Sequence, residues 1–211
     1  TNPESLIDAR FFPDAKINFA ENILNKDAAG PAIIFHSENS IRTEWSWQDL
    51  RETVSRLQQA LQASGVTSGD RIAGFVPNTP YTIAAALAAA SLGAVWCSCS
   101  PDFGFNAAMD RISQIDPKII FCADGYHYNG KEFSSIPTIA KLVDAIPSVE
   151  TAIVFPLTKG RAEINMIGLK GKHFSDYIVP YNAQPLTFKR VGFNDPLYVM
   201  FSSGTTGLPK C

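Results

Sequence analysis

Residues 71–99 read RIAGFVPNTPYTIAAALAAASLGAVWCSC, and this stretch decides the fold. Residues 71–76 form an apolar run of strand length. Asn78-Thr79-Pro80 then offers side chains that cap a helix, with proline in its first turn, where a missing N–H is no loss. The run Ala84 to Ala90 is helix-forming, and its small side chains allow close approach to a sheet. Gly93 ends that helix, and residues 94–99 are strand-like again. A strand, a helix and a strand joined by short links make a parallel crossover unit. Residues 83–97 are the longest apolar stretch, but they are too short for a bilayer span and are broken by Gly93. Trp96 reads as core.

The alternation continues towards the C-terminus. Residues 100–104, SPDFG, form a turn at the carboxyl end of the second strand, where open α/β sheets bind ligands. A helix is expected over 106–114, a strand over 118–122, a loop over 123–131, a helix over 138–146 and a strand over 151–156. This predicts an α/β fold with a doubly wound, mostly parallel sheet flanked by helices. Towards the N-terminus, residues 31–37 and 41–47 read as a hairpin around Glu38-Asn39-Ser40. Ser46-x-x-Asp49 is a capping box. The helix it starts carries Leu50, Val54, Leu57 and Leu61 on one face, while Arg51, Glu52, Arg56 and Gln59 read as solvated. Asp14 is expected near the start of a first helix. The expected divisions are a leading segment (1–30), an α/β subdomain (31–156), an excursion (157–196) and a strand with a loop (197–211).

Composition excludes several classes. The chain has 211 residues, is 45% hydrophobic and 18% charged, and carries a net charge of -2. That is ordinary for a globular domain, and no basic run supports nucleic acid or anionic membrane as a partner. The N-terminus lacks the basic start and apolar core of a secretory signal. Cys97-x-Cys99 is neither a redox nor a zinc spacing, and His36, His127 and His173 are scattered, so no zinc site is expected. Cys97, Cys99, Cys122 and Cys211 read as free thiols of a cytoplasmic protein.

The chemistry concentrates in residues 198–210, YVMFSSGTTGLPK. Four apolar residues read as a short buried strand, and four hydroxyls, two glycines and a lysine follow within nine residues. Glycine lets the backbone come close to a ligand, and successive free amides make an anion-binding concavity. Hydroxyls donate to phosphate oxygens and lysine supplies a mobile charge. The pattern is not a Walker A loop, because Pro209 stands where that motif has glycine.

SSGTTGLPK after an apolar strand resembles the phosphate loop of the adenylate-forming superfamily, which includes acyl-CoA synthetases. Most of that family has glycine after the lysine; Cys211 at this place resembles the acetoacetyl-CoA synthetase branch. FFPDAKINFAENIL resembles the leading segment of short-chain acyl-CoA synthetases. SCSPDFG and ADGYHYNGK resemble two loops that border the coenzyme A channel in acetyl- and acetoacetyl-CoA synthetases. Gly104 falls in the pantetheine-side turn. Tyr128 and Lys131 fall where acetyl-CoA synthetases have two arginines that meet the coenzyme's phosphates; only Lys131 keeps the charge.

The resemblance implies part of the large N-terminal domain of an adenylate-forming enzyme, with ATP, Mg2+, coenzyme A and a small carboxylate as cofactors and substrates. Acetoacetate is the expected carboxylate, with acetyl- or propionyl-CoA synthetase as the alternative. In this reading Ser202, Ser203, Gly204, Thr205, Thr206, Gly207 and Lys210 hold the ATP phosphates, Lys210 acts catalytically on the leaving pyrophosphate, and Ser202 also lies near the metal. The remaining sites of the family lie beyond Cys211, so the chain is expected to be an N-terminal fragment, inactive alone, with a mobile phosphate loop. A truncated, non-catalytic nucleotide-binding or interaction module is the alternative from another class.

Overall fold

The computed structural model describes residues 9–26, 28–38, 41–202, 207 and 209–211. The first strand, β1 (Lys16–Ile17), leads into helix α1 (Phe19–Leu24). Its cap is Asn18, not Asp14: Asn18 Oδ1 accepts from Glu21 N at 3.2 Å. The same buried side chain donates to Ala90 O and Lys189 O, both at 2.8 Å, so a long-range contact chose the cap. Strands β2 (Pro31–His36) and β3 (Arg42–Ser46) pair antiparallel, as the sequence predicts. The capping box is present: Asp49 N donates to Ser46 Oγ and Ser46 N to Asp49 Oδ2. It starts α2 (Trp47–Ala63), with Leu50, Val54, Leu57 and Leu61 buried.

Gln59 departs from the solvated reading. With Ser55 and Gln58 it holds residues 182–187 as a strap. Ser55 Oγ donates to Gln184 O at 2.7 Å, and Gln58 Oε1 accepts from Thr187 N at 3.2 Å. Gln59 Nε2 donates to Asn182 O at 2.8 Å.

The crossover unit forms as read: β4 (Arg71–Phe75), α3 (Pro80–Ser91) capped by Thr79, and β5 (Val95–Cys99). Next come α4 (Phe105–Ile112), β6 (Ile119–Ala123), the short strands β7 (Gly125–Tyr128) and β8 (Lys131–Ser134), α5 (Ile136–Ala145) and β9 (Thr151–Phe155). Residues 157–196 contribute β10 (Gly171–His173), α6 (Phe174–Ile178) and β11 (Val191–Gly192), which pairs with β1. Strand β12 (Tyr198–Val199) closes the order.

Six strands make one wholly parallel sheet in the order β10-β9-β6-β4-β5-β12. Alternate residues serve two cores, as period-two strands demand. Ile72, Trp96, Ile119, Phe121, Ile153 and Phe155 meet α2 and α3. Ala73, Phe75, Cys97, Cys99, Ile120, Cys122 and Val154 meet α4 and α5. Gly74 keeps the first face close, because a Cβ there would lie 2.8 Å from Trp96 Cζ2.

Two sequence expectations need correcting. The stretch read as a loop over 123–131 contains β7 and the start of β8, an antiparallel hairpin. The stretch read as a buried strand at 198–201 is a two-residue edge strand, with Tyr198 47% and Met200 77% exposed. It pairs with β5 on one side only, so just half of its apolar residues reach a core. Among the described residues, no helix is long and apolar enough to cross a membrane.

Leu57 of α2 is fully buried in the core between that helix and the sheet. Leu57→Ala is expected to cost about 2–5 kcal/mol of stability. Ile83→Ala, at a site 41% exposed, is expected to cost about 0.5 kcal/mol or less. Urea unfolding of the two variants measures the contrast, and similar midpoints would place the core elsewhere.

Candidate functional site

The loops that follow β4, β5, β6, β9 and β12 leave the same end of the sheet, because all five strands run the same way. Three of them carry the residues singled out from the sequence: the loop after β12, the turn after β5 and the hairpin after β6.

The loop after β12 is closed at its neck. Ser202 N donates to Lys210 O at 3.0 Å, and Lys210 N donates back to Ser202 O at 3.4 Å. Before the neck, Val199 and Phe201 pack on the core that holds Cys97 and Cys99. Gly207 has φ +96°, a left-handed conformation that side-chain-bearing residues rarely adopt. Ser202 and Lys210 are exposed. Ser203, Gly204, Thr205 and Thr206 lie outside the described residues, and so does the expectation that this loop is mobile. Gln114, in the tight turn that follows α4, holds the returning arm. Its Nε2 donates to Pro209 O at 2.9 Å, and its Oε1 accepts from Cys211 Sγ at 3.3 Å. Gln114 drew no attention in the sequence, because its partners are 95 and 97 residues away.

Gly104 is the N-cap residue of α4, with φ -64° and ψ 168°. A Cβ there would meet nothing within 4 Å. Neither backbone conformation nor packing within the chain therefore demands glycine at this place. Helix α4 has no side-chain bond at its cap, so its first amides face outward.

The hairpin β7–β8 turns at Asn129 and Gly130, with φ 51° and 70°. Two consecutive positive φ values are what a two-residue hairpin turn of the right twist requires. That Asn-Gly pair was the sequence signal for the hairpin. Tyr128 and Lys131 stand opposite each other at the tip, both exposed. Behind them Tyr126 and Phe133 stack at 5.3 Å. The Tyr126 hydroxyl titrates above its ordinary range, first through burial and then through the charge of Asp102. The turn after β5 and the hairpin after β6 leave the same end of the sheet, with β4 between their strands. Arg111 lies over the Phe103 ring at 4.6 Å, which ties the turn after β5 to α4.

Among the described residues, no group of three or more histidine, cysteine or acidic side chains is arranged to hold a metal. The three thiols on the sheet are sealed. Burial pushes Cys97 and Cys99 up to about 12, with the charge of a neighbouring thiol adding to each. Cys122, fully buried, is pushed up by the same desolvation. Cys211 is exposed. Trp96 is core, as read, and its indole Nε1 has no partner among the described residues.

The family described as AMP-binding enzyme matches residues 21–211. An acetoacetyl-coenzyme A synthetase of Rhizobium meliloti (strain 1021) is 46% identical over 211 residues, covering 99% of this chain and 32% of that protein. The acetoacetyl-CoA synthetase of Macaca fascicularis is 37% identical over 207 residues, covering 95% of this chain and 31% of that one. Among solved structures, acetoacetyl-CoA synthetase from Streptomyces lividans superposes with a TM-score of 0.85 at 38% identity, over 95% of this chain and 30% of that one. The chain thus spans about a third of the length of the curated relatives it matches.

A thiol reagent at pH 8 is expected to label Cys211 quickly and the other three cysteines only after unfolding; Cys211→Ser should abolish the fast phase. The raised thiols also predict a pH effect. Between the ordinary thiol value of 9.0 and about 12, the folded chain keeps protons that the unfolded chain loses, so stability falls as pH rises through that window and is unaffected below it. Rapid labelling of two or more thiols in the native state would show the sheet face to be open.

Proposed function

The chain belongs to the AMP-binding enzyme family, and on that premise we propose that the protein joins acetoacetate to coenzyme A in an ATP-dependent ligation. One observation carries the reading. The hydroxyl- and glycine-rich run 202–210 follows a strand of a parallel sheet, at the end where two further loops, carrying Gly104 and Tyr128–Lys131, also emerge. The relatives named as acetoacetyl-CoA synthetases, together with Cys211 after the loop, support acetoacetate as the carboxylate.

The proposed chemistry has two halves. A carboxylate oxygen of acetoacetate attacks the α-phosphorus of ATP and pyrophosphate leaves, giving an acyl-adenylate. The sulfur of coenzyme A then attacks the acyl carbon and AMP leaves. The first half gathers negative charge around departing phosphates, so its barrier falls most where donors are already oriented. Ser202, Ser203, Thr205 and Thr206, with the amides of Gly204 and Gly207, are proposed to hold the β- and γ-phosphates. Lys210 is proposed to neutralise the leaving pyrophosphate.

The neck bond between Ser202 and Lys210 supports this assignment, because it holds both ends of the loop together. Among the described residues Lys210 has no carboxylate partner, which leaves its charge for a ligand. The described residues offer no protein cage for Mg2+. Such an ion would arrive on the ATP phosphates, with Ser202 Oγ as the described oxygen proposed to meet it.

For the second half we propose that the pantetheine arm runs past Gly104, where packing leaves a side chain's room unfilled. The coenzyme's phosphates would meet Lys131, with Tyr128 offering its ring and hydroxyl. The division into 1–30, 31–156, 157–196 and 197–211, and a cytoplasmic location, remain part of this proposal.

ATP–pyrophosphate exchange with acetoacetate tests the reading in the whole enzyme. Lys210→Ala is expected to slow exchange about 100-fold or more, the usual scale for removing one donor to developing charge. Exchange with acetate or propionate is expected to be much weaker than with acetoacetate. Full exchange after Lys210→Ala would remove the phosphate-loop assignment, and equal exchange with acetate would remove the acetoacetate assignment.

A further inference from the structure

Asp124 follows the last residue of β6 and is 2% exposed. Among the described residues its carboxylate forms no ion pair, although Arg161 and His173 line the same small cavity. Instead three backbone amides of the turn after β9 converge on it. Leu157 N donates to Oδ1 at 2.8 Å, Thr158 N to Oδ1 at 3.0 Å and Lys159 N to Oδ2 at 3.0 Å. The main chain of Asp124 is committed as well. Its N–H donates to Phe155 O at 3.1 Å, and its carbonyl accepts from Ser135 N at 2.9 Å. Asp124 therefore joins the ends of two central strands and closes the base of the hairpin at Ser135.

The next residue makes that base tight. A Cβ on Gly125 would lie 2.4 Å from Phe133 O and 3.0 Å from Thr158 Cγ2 and Oγ1. Thr158, held by Asp124, thus props the foot of the hairpin. A buried carboxylate is costly unless it is fully hydrogen-bonded, so this one stays only while the three amides stay in place.

We propose that Asp124 is the positioning residue for the coenzyme side of the site: by gathering the Leu157–Lys159 turn, it sets the angle at which the hairpin presents Tyr128 and Lys131. The tip lies about 10 Å from the base at strand rise per residue. A tilt of about 10° at the base therefore moves Lys131 by roughly 2 Å, and a misplacement of ~1 Å can cost ~100-fold where geometry governs rate. The inference rests on the reading that this hairpin meets coenzyme A.

The test uses the whole enzyme with Asp124→Asn, which keeps shape but turns an NH2 towards an amide N–H, and with Lys131→Ala as the control. Two readouts separate the halves: ATP–pyrophosphate exchange, which needs no coenzyme, and thioester formation with coenzyme A varied. Asp124→Asn is expected to raise the KM for coenzyme A about tenfold or more, with exchange unchanged within about twofold. Lys131→Ala is expected to raise the same KM. If Lys131→Ala raises it and Asp124→Asn does not, the positioning role is overturned and the coenzyme reading stands. If neither changes it, the coenzyme reading of the hairpin itself falls. An equal loss of exchange and thioester formation in Asp124→Asn would show a role in the fold alone, which overturns the proposal. Should Asp124→Asn not fold, Thr158→Gly keeps the carboxylate and its amides but withdraws the prop at Gly125. An unchanged KM for coenzyme A in that variant would equally overturn it.

Discussion

Parallel pairing leaves no freedom about where the loops of this sheet emerge. All six strands of the sheet point the same way, so every carboxyl-end loop opens at one end and the helices between strands lie across the faces. The pairing holds only because both faces are buried, as parallel sheets require. Ile72, Phe121 and Phe155 seal one side and Phe75, Ile120 and Val154 the other. The phosphate-loop candidate, the turn at Gly104 and the hairpin at Tyr128–Lys131 leave one end of the sheet as a consequence of that packing. Nothing in their own sequences brings them together.

The position of β12 explains why its loop needs help. An edge strand of two residues has one neighbour and gives its loop a weak foundation. Two devices act there: the bridge between Ser202 and Lys210, and Gln114 reaching across from the end of α4. Gly104 caps α4 and Gln114 stands in the turn just after it, so the helix runs between the turn proposed for the coenzyme and the phosphate-loop neck. Residues 104–114 thereby run between the two halves of the proposed reaction.

Local signals were legible and remote ones were not. The crossover unit, the capping box at Ser46 and the buried stripe of α2 follow from spacing within one or two turns, and the structure reproduces them. The hairpin at β7–β8 is also written locally, in Asn129-Gly130, although its flanking residues Tyr126 to Lys131 lack the apolar alternation of a buried strand. Other features had no local signature. Asn18 caps α1 because it also reaches Ala90 and Lys189. The strap on Ser55 and Gln58 joins residues 129 apart, a separation that leaves no local pattern. At the site, Ser202, Gly207 and Lys210 stood out by composition, whereas Gln114 and Asp124 gain their roles only from partners brought near by the fold.

We propose that one end of this sheet receives both nucleotides, with phosphates at residues 202–210 and coenzyme A along Gly104 and the hairpin. A structure of the whole enzyme with ATP and coenzyme A bound measures this directly. The β- and γ-phosphates are expected within hydrogen-bond distance of the 202–210 loop, and the coenzyme's phosphates within reach of Lys131. Nucleotide bound at the opposite, amino end of the strands, or coenzyme A distant from both Gly104 and Lys131, would contradict it.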